Sequence, residues 1–236
     1  MIEPFAGGGI VSLTAAFENL AEKSIMVEKD EDIAAVWRTI LGGQARWLAE
    51  QIINFEITPK NVNAALKRHP TSLRQRALIT ILKNRLHHGG ILAHGAGFIK
   101  NGENGKGLRS RWYPGTLKKR IMDIMVVRSK VKFIQGDGLE IIEKNLDRND
   151  VVFFIDPPYT KAGRRLYKYH EIDHEKLFGL VEHINGDFLI TYDDAPEIED
   201  LTLRRGFVLE RVLMKTTHHL KKYELVIGKH LEWLRD

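Results

Sequence analysis

The sequence contains no cysteine among its 236 residues. This absence excludes disulfide bonds, thiolate zinc sites and cysteine nucleophiles, and it is compatible with the cytoplasmic location that we expect. No apolar run approaches the roughly 18–20 residues of a membrane-spanning helix, so we expect no membrane association. Internal repeats and low-complexity tracts are also missing, which argues against repeat architectures and disordered chains. A globular enzyme or binding protein is what remains.

The charge balance is mildly basic. Lys and Arg number 36 and Asp and Glu 31, which gives a formal net charge of +5. Hydrophobic residues make up 43% and charged residues 28% of the chain, as in soluble globular proteins. The length fits one large domain, or one domain with a smaller insert. The basic excess suits a polyanionic partner, although many basic proteins bind no nucleic acid.

Both ends of the chain show the alternation of an α/β sheet. A short strand at 1–5, a glycine-rich turn and a helix precede a strand at 24–28 and a helix at 30–40. Alternation resumes after residue 115 and ends in an antiparallel pair, at 208–215 and 223–227. The sequence therefore predicts a mostly parallel sheet with a hairpin edge.

The middle of the chain has a different pattern. Residues 44–55, 59–69 and 73–87 read as three helices with no strand between them. A loop rich in glycine and basic residues follows at 88–115, and a loop of that length in a compact domain is usually functional or disordered. We therefore predict a helical insert at 41–115 within a domain formed by 1–40 and 116–236.

The strongest functional signal is Asp156-Pro157-Pro158-Tyr159, directly after the apolar run 151–155. Such a run is typical of a buried central strand, and ligands of open α/β sheets bind beyond the carboxyl ends of the strands. Asp156 offers a carboxylate, the prolines lack an N–H, and Tyr159 offers a flat face for stacking. The set favours a planar substrate with an amino group. A Pro-Pro turn capped by Asp156 is the structural alternative.

Three further strand ends carry candidate ligand residues. The Gly7-Gly8-Gly9 turn lets the backbone approach a ligand closely, although a tight strand-to-helix turn needs the same residues. Glu28 ends the second strand, where an acid commonly binds ribose hydroxyls, or it is one of several solvated acids there. Asp137 ends a third strand and could reach an adenine ring, or it caps the next helix. Together the turns should form one crevice.

These motifs, in this order, resemble the DNA adenine-N6 methyltransferases of the Dam-like class, which use S-adenosylmethionine. The resemblance covers nearly the whole chain. It implies a Rossmann-like α/β methyltransferase sheet with helices on both faces. It also implies that the helical insert recognises double-stranded DNA. The motifs that carry it are Glu3-Pro4-Phe5-Ala6-Gly7-Gly8-Gly9, Val27-Glu28, Ser110-Arg111-Trp112-Tyr113-Pro114-Gly115-Thr116-Leu117, Gly136-Asp137-Gly138, Asp156-Pro157-Pro158-Tyr159 and Tyr223-Glu224-Leu225-Val226-Ile227.

The resemblance also implies roles for individual residues. Asp156 and the Pro157 carbonyl would accept hydrogen bonds from the target N6 amine, and Tyr159 would stack on the flipped base. The cofactor would be bound along the other strand ends. There Glu3, Phe5, Gly7 and Gly9 would border its methionine part, Glu28 would hold the ribose and Asp137 the adenine, with Asp156 also at the cofactor. Family members carry a Gly-Gly-Lys-like segment before the first strand, whereas this sequence begins almost at the glycine turn, which predicts a weaker hold on the methionine part.

A basic cluster near the exit of the insert is the candidate DNA surface, with a solvated basic face as the alternative. The histidines show no spacing typical of a metal site, so we expect no metal. The predicted DNA-contacting residues are Arg85, Lys100, Arg109, Arg111, Lys118 and Lys119.

Two other functions stay open at this point. One is an adenine methyltransferase that acts on structured RNA, and the other is a non-catalytic DNA-binding remnant. Cytosine N4 methylation is disfavoured, because those enzymes usually have Ser before Pro-Pro. The resemblance leaves open whether the protein is solitary or paired with a cognate restriction endonuclease.

Overall fold

The structure is a computed structural model that describes residues 1–92, 97–99, 105–158, 169, 171–215 and 221–234. Within this part of the chain the contacts define two compact units. The first unit contains residues 1–29 and the described residues from 136 onward, and the second contains the described residues of 30–135. The second unit is wider than the predicted insert at 41–115. That this part of the chain recognises a target stays a prediction.

The described residues of the first unit form six strands and four α-helices. Its strands are β1 (Ile2–Glu3), β2 (Ser24–Glu28), β4 (Val152–Ile155), β5 (Asp187–Asp193), β6 (Val208–Lys215) and β7 (Lys221–Gly228). Its helices are α1 (Ile10–Phe17), α7 (Gly138–Glu143), α8 (His174–Val181) and α9 (Pro196–Arg204). A short 3₁₀ turn, Glu232–Leu234, also belongs to the first unit.

The six strands form one mixed sheet in the order β2-β1-β4-β5-β7-β6. The first four run parallel, with Ile2 opposite Ile25 and Phe153 on its two sides and Ile155 opposite Ile190. Strand β7 runs antiparallel between β5 and β6 and closes the predicted hairpin edge. The sheet, flanked by helices, confirms the Rossmann-like α/β fold expected from the sequence.

The core of the first unit lies where the helices cover the central strands. Phe153, Ile155 and Ile190 from the sheet are buried against Phe178 of α8 and Ile198 of α9. Burial alternates along β4 and β5, since side chains of a strand point to opposite faces in turn. The buried core holds the strand ends in fixed positions.

The described residues of the second unit form helices and one strand. Its elements are α2 (Glu31–Thr39), α3 (Ala45–Asn54), α4 (Pro59–Lys67), α5 (Leu73–Leu86), α6 (Pro114–Val126) and β3 (Val131–Gln135). Side-chain oxygens of Asp30, Thr58 and Ser72 cap α2, α4 and α5 by accepting backbone N–H groups. Helix α2 packs on α5 and α3 on α6, which explains why the unit extends beyond 41–115.

Most predicted elements are present, with shifts of a few residues at their ends. Helix α9 was not predicted, and neither was the π-helical turn Ile40–Gln44, in which Gly43 has φ 91°. The loop predicted at 88–115 contains short 3₁₀ turns, and α6 begins inside it at Pro114. Residues 93–96 and 100–104 of that loop lie outside the described residues. None of the helices in the described ranges combines the length and apolarity that crossing a bilayer requires.

Candidate active site

The four parallel strands of the first unit end at the same edge of the sheet. Glu3 and Glu28 are the last residues of β1 and β2, and Asp156 directly follows β4. Thr191 lies near the carboxyl end of the neighbouring strand, β5. Because β2, β1, β4 and β5 are adjacent in this order, four polar side chains line one edge.

The glycine turn follows β1 in the chain and is hydrogen-bonded to the end of β2. Gly7 and Gly9 have φ angles of 47° and 62°, which glycine adopts far more readily than other residues. The Gly7 N–H donates to Glu28 Oε2 at 3.0 Å, and the Ala6 N–H donates to the Val27 carbonyl at 2.9 Å. Gly9 is the N-cap of α1. A direct hydrogen bond thus joins Gly7 and Glu28, two of the residues predicted to border the same crevice.

Glu3 is buried, with 3% of its surface exposed. Its Oε2 accepts the backbone N–H of Ser12 at 2.9 Å and so stabilises the first turn of α1. Burial raises the pKa of Glu3 despite the opposing hydrogen bond from the Ser12 N–H, and the negative charge of Asp156 raises it further. Glu3 therefore has a structural role, and its predicted contact with a cofactor stays a prediction.

Asp137 has the capping role considered as the alternative, together with an ion pair. Its Oδ1 accepts the Leu139 N–H at 2.9 Å at the start of α7, and its Oδ2 accepts from Lys29 Nζ at 2.9 Å. Partial burial alone would raise its pKa, but these two donors lower it below its usual value. Lys29, which the sequence analysis missed, immediately follows β2. Any adenine contact by Asp137 would have to share these oxygens.

Close packing brings the Asp137 turn against the glycine turn. A Cβ atom added to Gly138 would lie 2.5 Å from the Pro4 carbonyl oxygen and 2.8 Å from a ring carbon of Phe5. The Gly136 N–H also donates to the Glu28 carbonyl at 3.1 Å. The turns after β1 and β2 and the turn before α7 are thus in direct contact, as the single-crevice prediction requires.

Asp156 is held by a residue that the sequence analysis did not single out. The Thr191 hydroxyl donates to Asp156 Oδ1 at 2.9 Å. Asp156 is exposed on the surface of the chain, yet the protein atoms around its carboxyl group raise its pKa by desolvation. Thr191 opposes this increase, and the charge of Glu224 adds to it. Pro157 is buried beside it, whereas Tyr159 lies outside the described residues.

A neutral pair supports β5 from the side of α8. Tyr192 is fully buried, and its hydroxyl lies 2.6 Å from Nδ1 of His174 on α8. Burial and the charges of Asp193 and Asp156 raise the Tyr192 pKa, while burial lowers the His174 pKa. Both groups are therefore neutral near pH 7, and a hydrogen bond joins them whose donor is set by the tautomer of His174. This bond fixes the strand that presents Thr191.

Carboxylates gather around Asp156. The negative charge of Glu224 raises the pKa of Asp156, and Glu224 lies opposite Asp193 across the antiparallel β5–β7 pair. Asp156 in turn acts on buried Glu3. Within the described ranges, no group of three or more His, Asp or Glu residues is arranged to hold a metal ion. The site is thus an acidic edge that suits a group gaining positive charge.

The predicted DNA-contacting residues lie in the second unit, and the structure brings some of them together. Burial lowers the pKa of Arg85, and the nearby charges of Arg111 and Arg120 lower it further. Arg109 Nε donates to the Ile57 carbonyl at 3.3 Å, and Arg111 Nη1 donates to the His87 carbonyl at 3.3 Å. Of the remaining three, Lys118 is exposed, Lys119 pairs with Asp123 at 2.7 Å, and Lys100 lies outside the described residues.

Comparisons with known proteins add little to this picture. No family model matches the sequence, and no curated protein matches it either. The chain is similar to a solved structure of a proposed RNA methyltransferase from Pyrococcus horikoshii, at 16% sequence identity and a TM-score of 0.27. That match covers 78% of this chain and 96% of the other. Similarity at this level assigns no function.

Proposed function

We propose that this protein is an S-adenosylmethionine-dependent methyltransferase that modifies the N6 amine of a flipped adenine in double-stranded DNA. The observation that carries the proposal is the Asp156 carboxylate. It follows a buried parallel strand, precedes two prolines, and is oriented by the Thr191 hydroxyl at 2.9 Å. The glycine turn and Glu28 lie at the ends of the two strands beyond it, where a nucleoside-containing cofactor would bind.

The residues of the glycine turn fit such a cofactor. Among the described atoms, nothing lies within 4 Å of the position that a Cβ of Gly7 would take, so a ligand has room to approach the backbone there. Glu28 would hold the ribose hydroxyls while keeping the Gly7 N–H, and Asp137 would face the adenine of the cofactor. When bound, S-adenosylmethionine supplies a methyl group on a sulfonium, which is open to attack by a nitrogen lone pair.

The Asp156 carboxylate would activate the target amine. The N6 lone pair of adenine is delocalised into the ring and is therefore a poor nucleophile. Acceptors at Asp156 and the Pro157 carbonyl would bind the two amine hydrogens and favour a more tetrahedral nitrogen, whose lone pair is free to react. The raised pKa of Asp156 makes its carboxylate a better acceptor, provided that it stays ionised.

The surrounding acids would stabilise the charge that develops during transfer. Methyl transfer would form the N–C bond, break the S–C bond and release S-adenosylhomocysteine, and the amine nitrogen would carry positive charge until it loses a proton to solvent. Asp156 would lie against this nitrogen, and the charge of Glu224, which already acts on Asp156, would add to the negative potential. Preorganised charges of this kind are effective because they need no rearrangement during the reaction.

The experiment compares methyl transfer to DNA with methyl transfer to RNA. Purified protein is incubated with S-adenosylmethionine labelled in its methyl group and with duplex DNA or structured RNA, and the nucleosides are then separated. We expect the label in N6-methyl-deoxyadenosine from DNA. Label in RNA alone would support the RNA-modifying alternative, and no label in either polymer, with S-adenosylmethionine unbound by calorimetry, would favour the non-catalytic remnant.

A further inference from the structure

The second unit contains a groove on which the sequence analysis placed no function. The groove has a volume of about 780 Å³ and lies between the π-helical turn after α2, the start of α5, and the segment that leads into β3. Three arginines line it, namely Arg38, Arg74 and Arg128, and none of the described residues that line it is acidic. A groove with this charge favours an anionic ligand.

Two of these guanidinium groups are held in place by neutral partners. Arg38 Nη1 donates to Gln135 Oε1 at 3.1 Å, and the Arg74 guanidinium lies 4.8 Å from the centre of the Trp47 ring. An amide and an indole orient a guanidinium without cancelling its charge. Arg76, two residues away on α5, differs because it pairs with Asp32 at 3.1 Å. Arg38 and Arg74 therefore present oriented positive charge to a ligand in the groove.

Other features of the groove also suit phosphate groups. The fourteen-residue helix α5 begins at Leu73 in its wall, so the positive end of the helix dipole lies at the groove. Thr39 also lines the groove and is 1% exposed, and its Oγ1 has no hydrogen-bond partner among the described residues. Leu73 and Phe133 add apolar surface on which a sugar or base can pack.

We propose that the groove lined by Arg38, Arg74 and Arg128 binds the phosphate backbone of a nucleic acid. Arginine binds phosphate through paired N–H donors, and three such residues along one groove match a ligand with repeated phosphates. This assignment adds to the proposed function a surface that binds the DNA substrate. It rests on the proposed function for the choice of a polynucleotide, rather than an acidic peptide, as the ligand. These residues are separate from the predicted cluster around Arg85 and Arg111.

The test compares two triple variants that lose the same formal charge. One is R38Q/R74Q/R128Q, and the matched control is R204Q/R205Q/R211Q, whose three arginines pair with carboxylates in the first unit. Binding to a fluorescent DNA duplex is measured by anisotropy over a range of NaCl concentrations. Circular dichroism and S-adenosylmethionine binding report folding, and the exposed single variant R128Q serves if the triple variant does not fold.

The groove variant should bind the duplex at least about tenfold more weakly than wild type. The slope of the logarithm of its binding constant against the logarithm of the NaCl concentration should be shallower by up to about 0.9 for each phosphate that the protein no longer neutralises. The control should bind like wild type. An unchanged affinity and slope, or an equal loss in the control, would overturn the proposal. Displacement of the duplex by polyglutamate as effective as by unlabelled DNA would assign the groove to acidic proteins instead.

The same samples separate this inference from the proposed function. If wild-type protein transfers no methyl group but its DNA binding depends on the three arginines, the proposed function is wrong and the groove assignment stands. If methyl transfer occurs and the groove variant binds DNA as tightly as wild type, the groove assignment is wrong and the proposed function stands.

Discussion

Thr191 and Glu224 act on the pKa of Asp156 in opposite directions. The Thr191 hydroxyl stabilises the ionised carboxylate and lowers the pKa, whereas the negative charge of Glu224 raises it. If Asp156 must be ionised to accept the amine hydrogens, methyl transfer should fail as the pH falls through this pKa. The acid limb of the pH–rate profile therefore reports on the two neighbours.

We predict opposite shifts for two variants. Thr191→Val removes the hydrogen bond, so the pKa of Asp156 rises and the acid limb of kcat/KM moves to higher pH. Glu224→Gln removes a negative charge, so the pKa falls and the limb moves to lower pH. Thr191→Ser keeps the hydroxyl and should resemble wild type. Shifts in the same direction, or none, would mean that the limb does not report Asp156.

Glu28 is the residue expected to affect cofactor affinity most selectively. Glu28→Ala removes the acceptor for the Gly7 N–H and the predicted ribose contact, so S-adenosylmethionine binding should weaken by about 1.5–3 kcal/mol, the usual value of hydrogen bonds to a charged group. Calorimetry on this variant and on Glu22→Ala, which alters an exposed acid, makes the comparison. Equal dissociation constants for the Glu28 variant and wild type would leave Glu28 with only its role in the turn.

Sequence reasoning placed Asp156 and Asp137 at strand ends but did not find their side-chain partners. The motif letters and the apolar strand before them were enough to place Asp156 at a strand end. Thr191 follows Asp156 by 35 positions in the chain, and only the adjacency of β4 and β5 brings its hydroxyl to the carboxylate. Lys29 was likewise invisible as the partner of Asp137, because their pairing spans 108 positions.

At the scale of elements, the contact between two turns limits what the chain tolerates. Gly138 begins α7 directly against the Pro4 carbonyl oxygen and the Phe5 ring. We predict that Gly138→Ala lowers the free energy of unfolding by about 1–3 kcal/mol, because backbone atoms must move to admit the methyl group.

A glycine in a helix with open space provides the control. Gly115 lies in the first turn of α6, and none of the described atoms lies within 4 Å of its potential Cβ. Gly115→Ala should therefore be neutral or stabilising by up to about 1 kcal/mol. Thermal or urea unfolding measures both variants. Equal stability of Gly138→Ala and wild type would show that the two turns pack more loosely than described.

The elements that sequence reasoning found and missed differ in a physical way. Strand β2 was predicted with its correct bounds, since a short apolar strand flanked by turns is a local pattern. Helix α9 was missed, although Pro196 in its first turn and the acids Glu197 and Glu199 are typical of a helix start. The π-helical turn at Ile40–Gln44 has no comparable signal apart from its two glycines.

At the scale of the whole chain, tertiary packing decides which elements form a unit. The change in sequence pattern at residue 41 suggested where an insert begins. Helix α2, however, packs on α5 and therefore belongs with the second unit. Packing between distant helices leaves no trace in the order of strands and helices, so a sequence can indicate that an insert exists more readily than where it ends.

If the first unit binds the cofactor and the second binds DNA, as proposed, variants should lose one kind of binding without the other. Charge removal in the groove of the second unit should weaken DNA binding while S-adenosylmethionine affinity is kept. Glu28→Ala should do the reverse, because it lies in the first unit with the glycine turn. Calorimetry with cofactor and anisotropy with DNA, on both variants, measure the two properties. Loss of both in either variant would show that the two binding events are not independent.

The most direct measurement is methyl transfer to duplex DNA by wild type and Asp156→Asn, with S-adenosylmethionine affinity and thermal stability determined on the same samples. The pKa of Asp156 is higher in the folded protein than in the unfolded chain, so ionisation of this carboxyl group lowers the free energy of unfolding. This loss begins as the pH rises through the usual pKa of aspartate and is complete above the raised pKa. The uncharged variant should therefore be at least as stable as wild type at pH 7. We predict N6-methyladenine from wild type and a nearly complete loss in the variant, with cofactor binding reduced far less. Near-wild-type turnover by Asp156→Asn would contradict the proposed role of the carboxylate and the function built on it.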